Sequence, residues 1–162
     1  VGWMGFQLNF GAAGERINAG FIKSLIEKRL QKEPENAELH VFLGDLYFSE
    51  KNYKDATNAY EQALRLEPEN TRALNNLAWL YATAEKKAFY RPERSLELAK
   101  RAAGLEEEPH ILDTLAESYF INGQYQKAIE VEKRALKMAK GDTSHYREQL
   151  KRFKEKLNEN PP

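Results

Sequence analysis

Residues 37–70, AELHVFLGDLYFSEKNYKDATNAYEQALRLEPEN, read as two short amphipathic helices joined by a tight turn. In the first, about Ala37–Glu50, His40, Leu43, Gly44 and Tyr47 recur at helical spacing; in the second, about Tyr53–Leu66, Ala56, Tyr60 and Ala63 do the same. Small residues at Gly44, Ala56 and Ala63 let the two helices approach where larger side chains would hold them apart, and Tyr47 and Tyr60 fill the space beside them. Pro68 stops the second helix, and Asn70 is placed to cap the next.

The neighbouring sequence repeats this unit imperfectly. Over Thr71–Glu108 the corresponding positions hold Leu74, Leu77, Ala78 and Tyr81, then Ser95, Ala99 and Ala102 after a short insertion within Ala84–Glu93. Pro92 suits the first turn of the second helix, and the inserted Phe89 and Tyr90 read as packing on the longer turn. Over Pro109–Asp142 the positions hold Leu112, Leu115, Ala116 and Tyr119, then Ala128, Glu132 and Ala135. Gly123, in the turn NGQY, allows a left-handed conformation. Glu132 departs from the apolar pattern and marks where the regular stack is expected to stop. Upstream, Glu15–Lys32 carries an apolar helical stripe and ends in KEPEN, matching the LEPEN of Leu66–Asn70. It reads as the second half of a unit. A final helix, about Asp142–Asn158, places Tyr146, Leu150, Phe153 and Leu157 on one stripe. Its other face carries Arg147, Lys151, Arg152, Lys154 and Lys156, read as a solvated cap. The expected organisation is an arm over 1–14, a half unit over 15–36, full units over 37–70, 71–108 and 109–142, and a capping helix and tail over 143–162.

These spacings closely resemble the tetratricopeptide repeat (TPR), whose period of 34 residues is the span from Ala37 to Asn70. His40 stands where that family most often has Trp and is expected to be a core histidine between helices. The resemblance implies an all-α, right-handed α-solenoid of helix–turn–helix repeats, closed by a C-terminal capping helix. It also implies a concave groove, lined by the first helices, in which extended peptides bind. The groove positions are Val41, Asp45 and Phe48, with Glu38 and Phe42, in the first unit. They are Arg72, Asn75, Asn76 and Trp79, with Ala82, in the second, and His110, Asp113, Glu117 and Phe120, with Thr114, in the third. Asn76 matches the family's peptide-backbone-binding Asn, and Phe48, Trp79 and Phe120 are either ligand anchors or core. The family members that grip chaperone C-termini use a clamp of Lys, Asn, Asn, Lys and Arg. Here only Asn76 matches, the other places holding Val41, Asp45, His110 and Thr114. With Asp45, Asp113 and Glu117 set against Arg72, the groove reads as acidic, so a neutral or basic, partly apolar partner segment is expected rather than an acidic one.

Composition narrows the function further. The chain has 162 residues, 25 Lys+Arg against 25 Asp+Glu, and no cysteine. It thus has neither a basic footprint for nucleic acid nor thiol chemistry, and no apolar run is long enough for a membrane helix. His40, His110 and His145 lack metal-ligand spacing, and Gly11–Gly14 lacks the Lys-Ser/Thr of a phosphate loop. No catalytic residues, metal or cofactor are therefore expected. The function expected is that of a non-enzymatic protein–protein interaction scaffold. The alternatives are a structural module self-associating through residues 1–14 or the repeat ends, and a membrane-tethered adaptor. The uncharged Val1–Gly14, with Trp3, Phe6 and Phe10, underlies both. A cytoplasmic location is expected, or a membrane-tethered one if an apolar segment precedes Val1.

Overall fold

A computed structural model describes residues 19–159, so the arm over 1–14 and the first residues of the half unit lie outside the described residues. Eight helices are described: α1 (Ala19–Lys32), α2 (Ala37–Ser49), α3 (Tyr53–Leu66), α4 (Thr71–Thr83), α5 (Pro92–Leu105), α6 (Pro109–Ile121), α7 (Tyr125–Met138) and α8 (Ser144–Glu159). There is no strand among the described residues. The chain divides into two compact units, residues 1–67 with α1–α3 and residues 68–162 with α4–α8.

In the first unit α3 lies against α2 through small side chains. Ala56 and Ala63 have no exposed surface. A Cβ built on Gly44 would sit 2.5 Å from Cε1 and 2.6 Å from Cδ1 of the Tyr60 ring, closer than carbon atoms pack. The glycine therefore exists to admit the ring, whose hydroxyl donates to Asp45 Oδ1 at 2.8 Å. Helix α1 packs on α2 with Ile22, Ile26 and Leu30 partly covered, and leaves Phe21 and Leu25 exposed. Lys23 lies over the Tyr47 ring at 4.1 Å and 3.6 Å from Glu50. His40 is not a core histidine. Its side chain is half-buried, and Nε2 lies 3.0 Å from the Pro34 carbonyl, tying α2 to the turn before it.

The second unit repeats the same pairing twice. Helix α5 presents Ala99 and Ala102 to α4, and α7 presents Ala128 and Ala135 to α6, all with no exposed surface. Ser95 and Ser118 are also fully buried, with hydroxyls 2.6 Å apart. The carbonyls of Ala78 (2.9 Å) and Thr114 (2.8 Å) are their further acceptors. This hydroxyl contact joins α4, α5 and α6.

The turns show why insertion is tolerated. In α2–α3 the Asn52 N–H donates to Tyr47 O and the Lys51 N–H to Phe48 O; in α6–α7 the Gln124 N–H donates to Tyr119 O and the Gly123 N–H to Phe120 O, all at 2.9–3.0 Å. This paired bonding closes a helix around one left-handed residue, here Lys51 (φ 56°) and Gly123 (φ 73°). In α4–α5 the inserted residues bulge out, yet the Arg91 N–H returns to Tyr81 O at 2.9 Å. The same carbonyl position thus closes each hairpin. Within the insertion Phe89 is half-buried and Tyr90 exposed. Side chains of Asn36, Asn52 and Asn70 cap α2, α3 and α4, and Pro92 and Pro109 open α5 and α6.

Two substitutions probe these contacts. Gly44→Ala drives a methyl into the Tyr60 ring and should destabilise the fold by roughly 1–3 kcal/mol in denaturant unfolding. Lys51→Gly should do the reverse. Relieving a left-handed lysine should gain about 0.5–1 kcal/mol, and an unchanged midpoint would show that Lys51 carries no strain.

Candidate functional site

The positions expected to line a groove divide into three kinds. In the first unit Val41 is fully buried and presents no surface. Asp45 is half-buried beneath the Tyr60 hydroxyl, and Phe48 is tilted against Tyr53 with ring centroids 5.9 Å apart.

In the second unit α4 lies against α6. Arg72, Asn76 and Trp79 are half-exposed along α4, and His110 is exposed in the first turn of α6. Asn75 is only 8% exposed. Its Nδ2 donates to Asn76 Oδ1 at 3.2 Å, while its own Oδ1 is buried without a donor. Two adjacent amides, one orienting the other, thus sit one turn from an indole. This is an arrangement suited to gripping main-chain N–H and C=O groups beside an apolar side chain.

The remaining α6 positions face inward. Asp113 is 8% exposed and accepts from His145 Nε2 at 2.8 Å; Glu117, 5% exposed, pairs with the Arg152 guanidinium. Phe120 stacks on Phe153 at 4.7 Å and tilts against Tyr125 at 5.4 Å, with Arg152 over its face at 4.4 Å. Both carboxylates are therefore engaged by α8, and neither lines an open acidic groove. Arg152, expected on the solvated face of the cap, turns back to α6. Of the α8 stripe, Tyr146, Leu150 and Phe153 are buried and Leu157 is half-buried.

Behind these contacts stands Glu132 of α7. Where the pattern marks the end of the regular stack, α8 packs over α7 and Glu132 has no exposed surface. Taken as ionised, both its oxygens and Asp113 Oδ1 lack a donor. A proton on Glu132 would pair one of its oxygens, as donor, with Asp113 as acceptor, leaving the second Glu132 oxygen without a donor. Burial pushes the Glu132 carboxyl up to about 9, helped by the neighbouring Asp113 charge, the hydrogen bond with Asp113 and the Glu117 charge, against the pull of Arg152. Burial also raises Glu117, with Arg152 opposing it. The hydrogen bond to Asp113 raises His145, so its imidazole holds a proton more tightly than usual. Sequence reasoning finds Glu132 as an anomaly but not this cluster, because His145 and Asp113 are brought together only by folding. Among the described residues no group of acidic or histidine side chains is arranged to hold a metal ion, and no helix is long and apolar enough to cross a membrane.

The family model for the TPR domain of cytochrome c-type biogenesis protein H matches residues 24–146. The chain belongs to that family. It is 29% identical over 112 residues to the formate-dependent nitrite reductase complex subunit NrfG of Escherichia coli O157:H7, the match covering 65% of this chain and 53% of that protein. The chain thus spans about half the length of this curated relative. Among solved structures it is similar to MamA (TM-score 0.70, 18% identity, covering 86% of this chain and 79% of that one). It is also similar to TTC0263, a TPR protein of Thermus thermophilus (0.67, 18%, 86% and 73%), and to the Sgt2 TPR domain of Aspergillus fumigatus (0.64, 23%, 78% and 85%). These likenesses show the fold, an all-α helical-repeat solenoid.

In this TPR domain the buried cluster makes stability depend on pH in an unusual sense. Glu132, Glu117 and His145 all bind protons more tightly when folded. Each contribution is therefore complete below the ordinary value of its group and is lost as pH rises toward the raised one. The second unit should be less stable at about pH 8 than at about pH 6, by roughly 1–3 kcal/mol, most of it from Glu132. Glu132→Gln, which keeps the shape and supplies an amide donor, should raise the unfolding midpoint at neutral pH and flatten this slope. A midpoint that rises with pH in the wild type would contradict the assignment.

Proposed function

We propose that the chain is a non-enzymatic protein-interaction module that holds an extended, partly apolar segment of a partner protein on the α4–α6 face. The observation that carries this reading is the Asn75–Asn76 amide pair beside half-exposed Trp79. Asn76 would donate to and accept from the segment's main chain, and Trp79 would cover an apolar side chain. Arg72 and His110 flank them. Because Asp113 and Glu117 are paired with α8, they no longer favour a basic partner; the apolar character remains.

The family supports one partner class. It is named for a cytochrome c-type biogenesis protein, and the relative NrfG is a subunit of a formate-dependent nitrite reductase complex. A protein component or client of a cytochrome c maturation apparatus is therefore the proposed partner.

An affinity pull-down from the source cells tests the reading, comparing the intact chain with an Asn76→Ala, Trp79→Ala double variant. Proteins of cytochrome c maturation should be retained by the first and reduced at least about tenfold on the second, the loss expected from removing an anchor and its amide. Equal retention by both would remove this face as the binding surface.

A further inference from the structure

Helix α8 is seated on the second unit by an uneven set of contacts. Three apolar side chains, Tyr146, Leu150 and Phe153, are buried. Three polar contacts from it to α6 end on carboxylates there: His145 Nε2 to Asp113 Oδ2 at 2.8 Å, Arg152 to Glu117, and Gln149 Nε2 to Glu117 Oε2 at 3.5 Å. The fully buried Glu132 adds a third carboxyl from α7, with Asp113 Oδ1 and both of its own oxygens lacking donors. Three carboxyls thus meet two cations. With one proton on Glu132 and one on His145 the charges cancel, Asp113 and Glu117 against His145 and Arg152. Removing the Glu132 proton leaves one uncompensated negative charge in the seat, and neutralising His145 leaves two.

The charged and titratable groups around the seat come from α6, α7 and α8. Glu132 faces Asp113 and Glu117 of α6 and Arg152 of α8. His145 faces Asp113 and, on its own helix, Glu148; Tyr146 lies near both Asp113 and Glu132. Helices α6 and α7 are locked by the Gly123 turn and by Ala128 and Ala135. The weak partner in the seat is therefore α8. An uncompensated charge buried there is strongly unfavourable, and undocking α8 relieves it without opening the α6–α7 pair.

We propose that α8 is a proton-operated clasp, closed on α6 and α7 while Glu132 and His145 are protonated and released when they are not, baring the α6 face that carries Asp113, Glu117 and Phe120. The clasp does not rest on the reading that Asn76 and Trp79 bind a ligand.

Amide hydrogen exchange on the full chain between about pH 6 and pH 9, corrected for intrinsic exchange rates, reads the clasp directly. Protection of α8 should fall with rising pH by up to about tenfold per unit for each linked proton, and should be lost while α4 and α5 are still protected. Glu132→Gln should remove most of that fall above about pH 7. Protection of α8 that does not change with pH overturns the clasp, as does an equal fall in the variant or an α8 that loses protection only together with α4 and α5. Infrared spectroscopy of the wild type gives a second reading that needs no variant. A protonated buried carboxyl should be present at neutral pH and titrate together with α8 release; its absence overturns the proposal even if Glu132→Gln does not fold.

Discussion

The close approach of paired helices is the constraint on which this structure depends. A short helix is marginal alone and gains its stability by burying an apolar stripe on a neighbour. Here that contact is made by side chains too small to keep the axes apart. Ala56 and Ala63 serve α3, Ala99 and Ala102 serve α5, and Ala128 and Ala135 serve α7. At the tightest point even a methyl is excluded, because the Tyr60 ring occupies the space over Gly44. Bulk then comes from a few tyrosines: Tyr60 and Tyr81 are each 1% exposed. Once two helices are this close, their joining turn has little freedom, which is why the carbonyls of Tyr47, Tyr81 and Tyr119 each accept the bond that closes a hairpin.

Polar groups inside such a scaffold need partners, and the second unit resolves this in two ways. The Ser95–Ser118 contact is neutral and is satisfied by main-chain carbonyls. The carboxyl cluster is charged and depends on α8 for both of its cations. Its energetic role is therefore opposite to that of an exposed ion pair, which adds little: the cluster is strongly stabilised only in one protonation state. The division also shapes function. On α6, Asp113, Glu117 and Phe120 are committed to the cap helix. On α4, Arg72, Asn76 and Trp79 keep surface. A partly exposed face and a seat for α8 thus come from equivalent positions on successive helices.

Periodicity carried most of the architecture. The apolar spacing, the asparagine caps, Pro92 and Gly123 are local signals, each acting within a turn or two of its own residue, so they place α2–α8 from sequence alone. Where that reading departed from the structure, the cause was a contact that helical spacing does not show. His40 occupies a position that usually holds a core aromatic, but the Pro34 carbonyl draws it to the turn. Arg152 lies among the cap's basic residues, but Glu117 and Phe120 draw it inward. Lys51 sits in a left-handed conformation that its residue type does not announce.

The sequence by itself determined that this chain is a set of TPR helix pairs, because that fold is written in the spacing of small and large residues along each helix. Only the tertiary structure decided which of the positions expected to line a groove stay exposed. Asp113, Glu117 and Glu132 are separate acids in the sequence, and nothing local distinguishes them from the chain's many solvated carboxylates. Their burial around His145 and Arg152 arises from the packing of α6, α7 and α8 together. A charge's environment is set by everything that surrounds it in space, and spacing along the chain does not encode that.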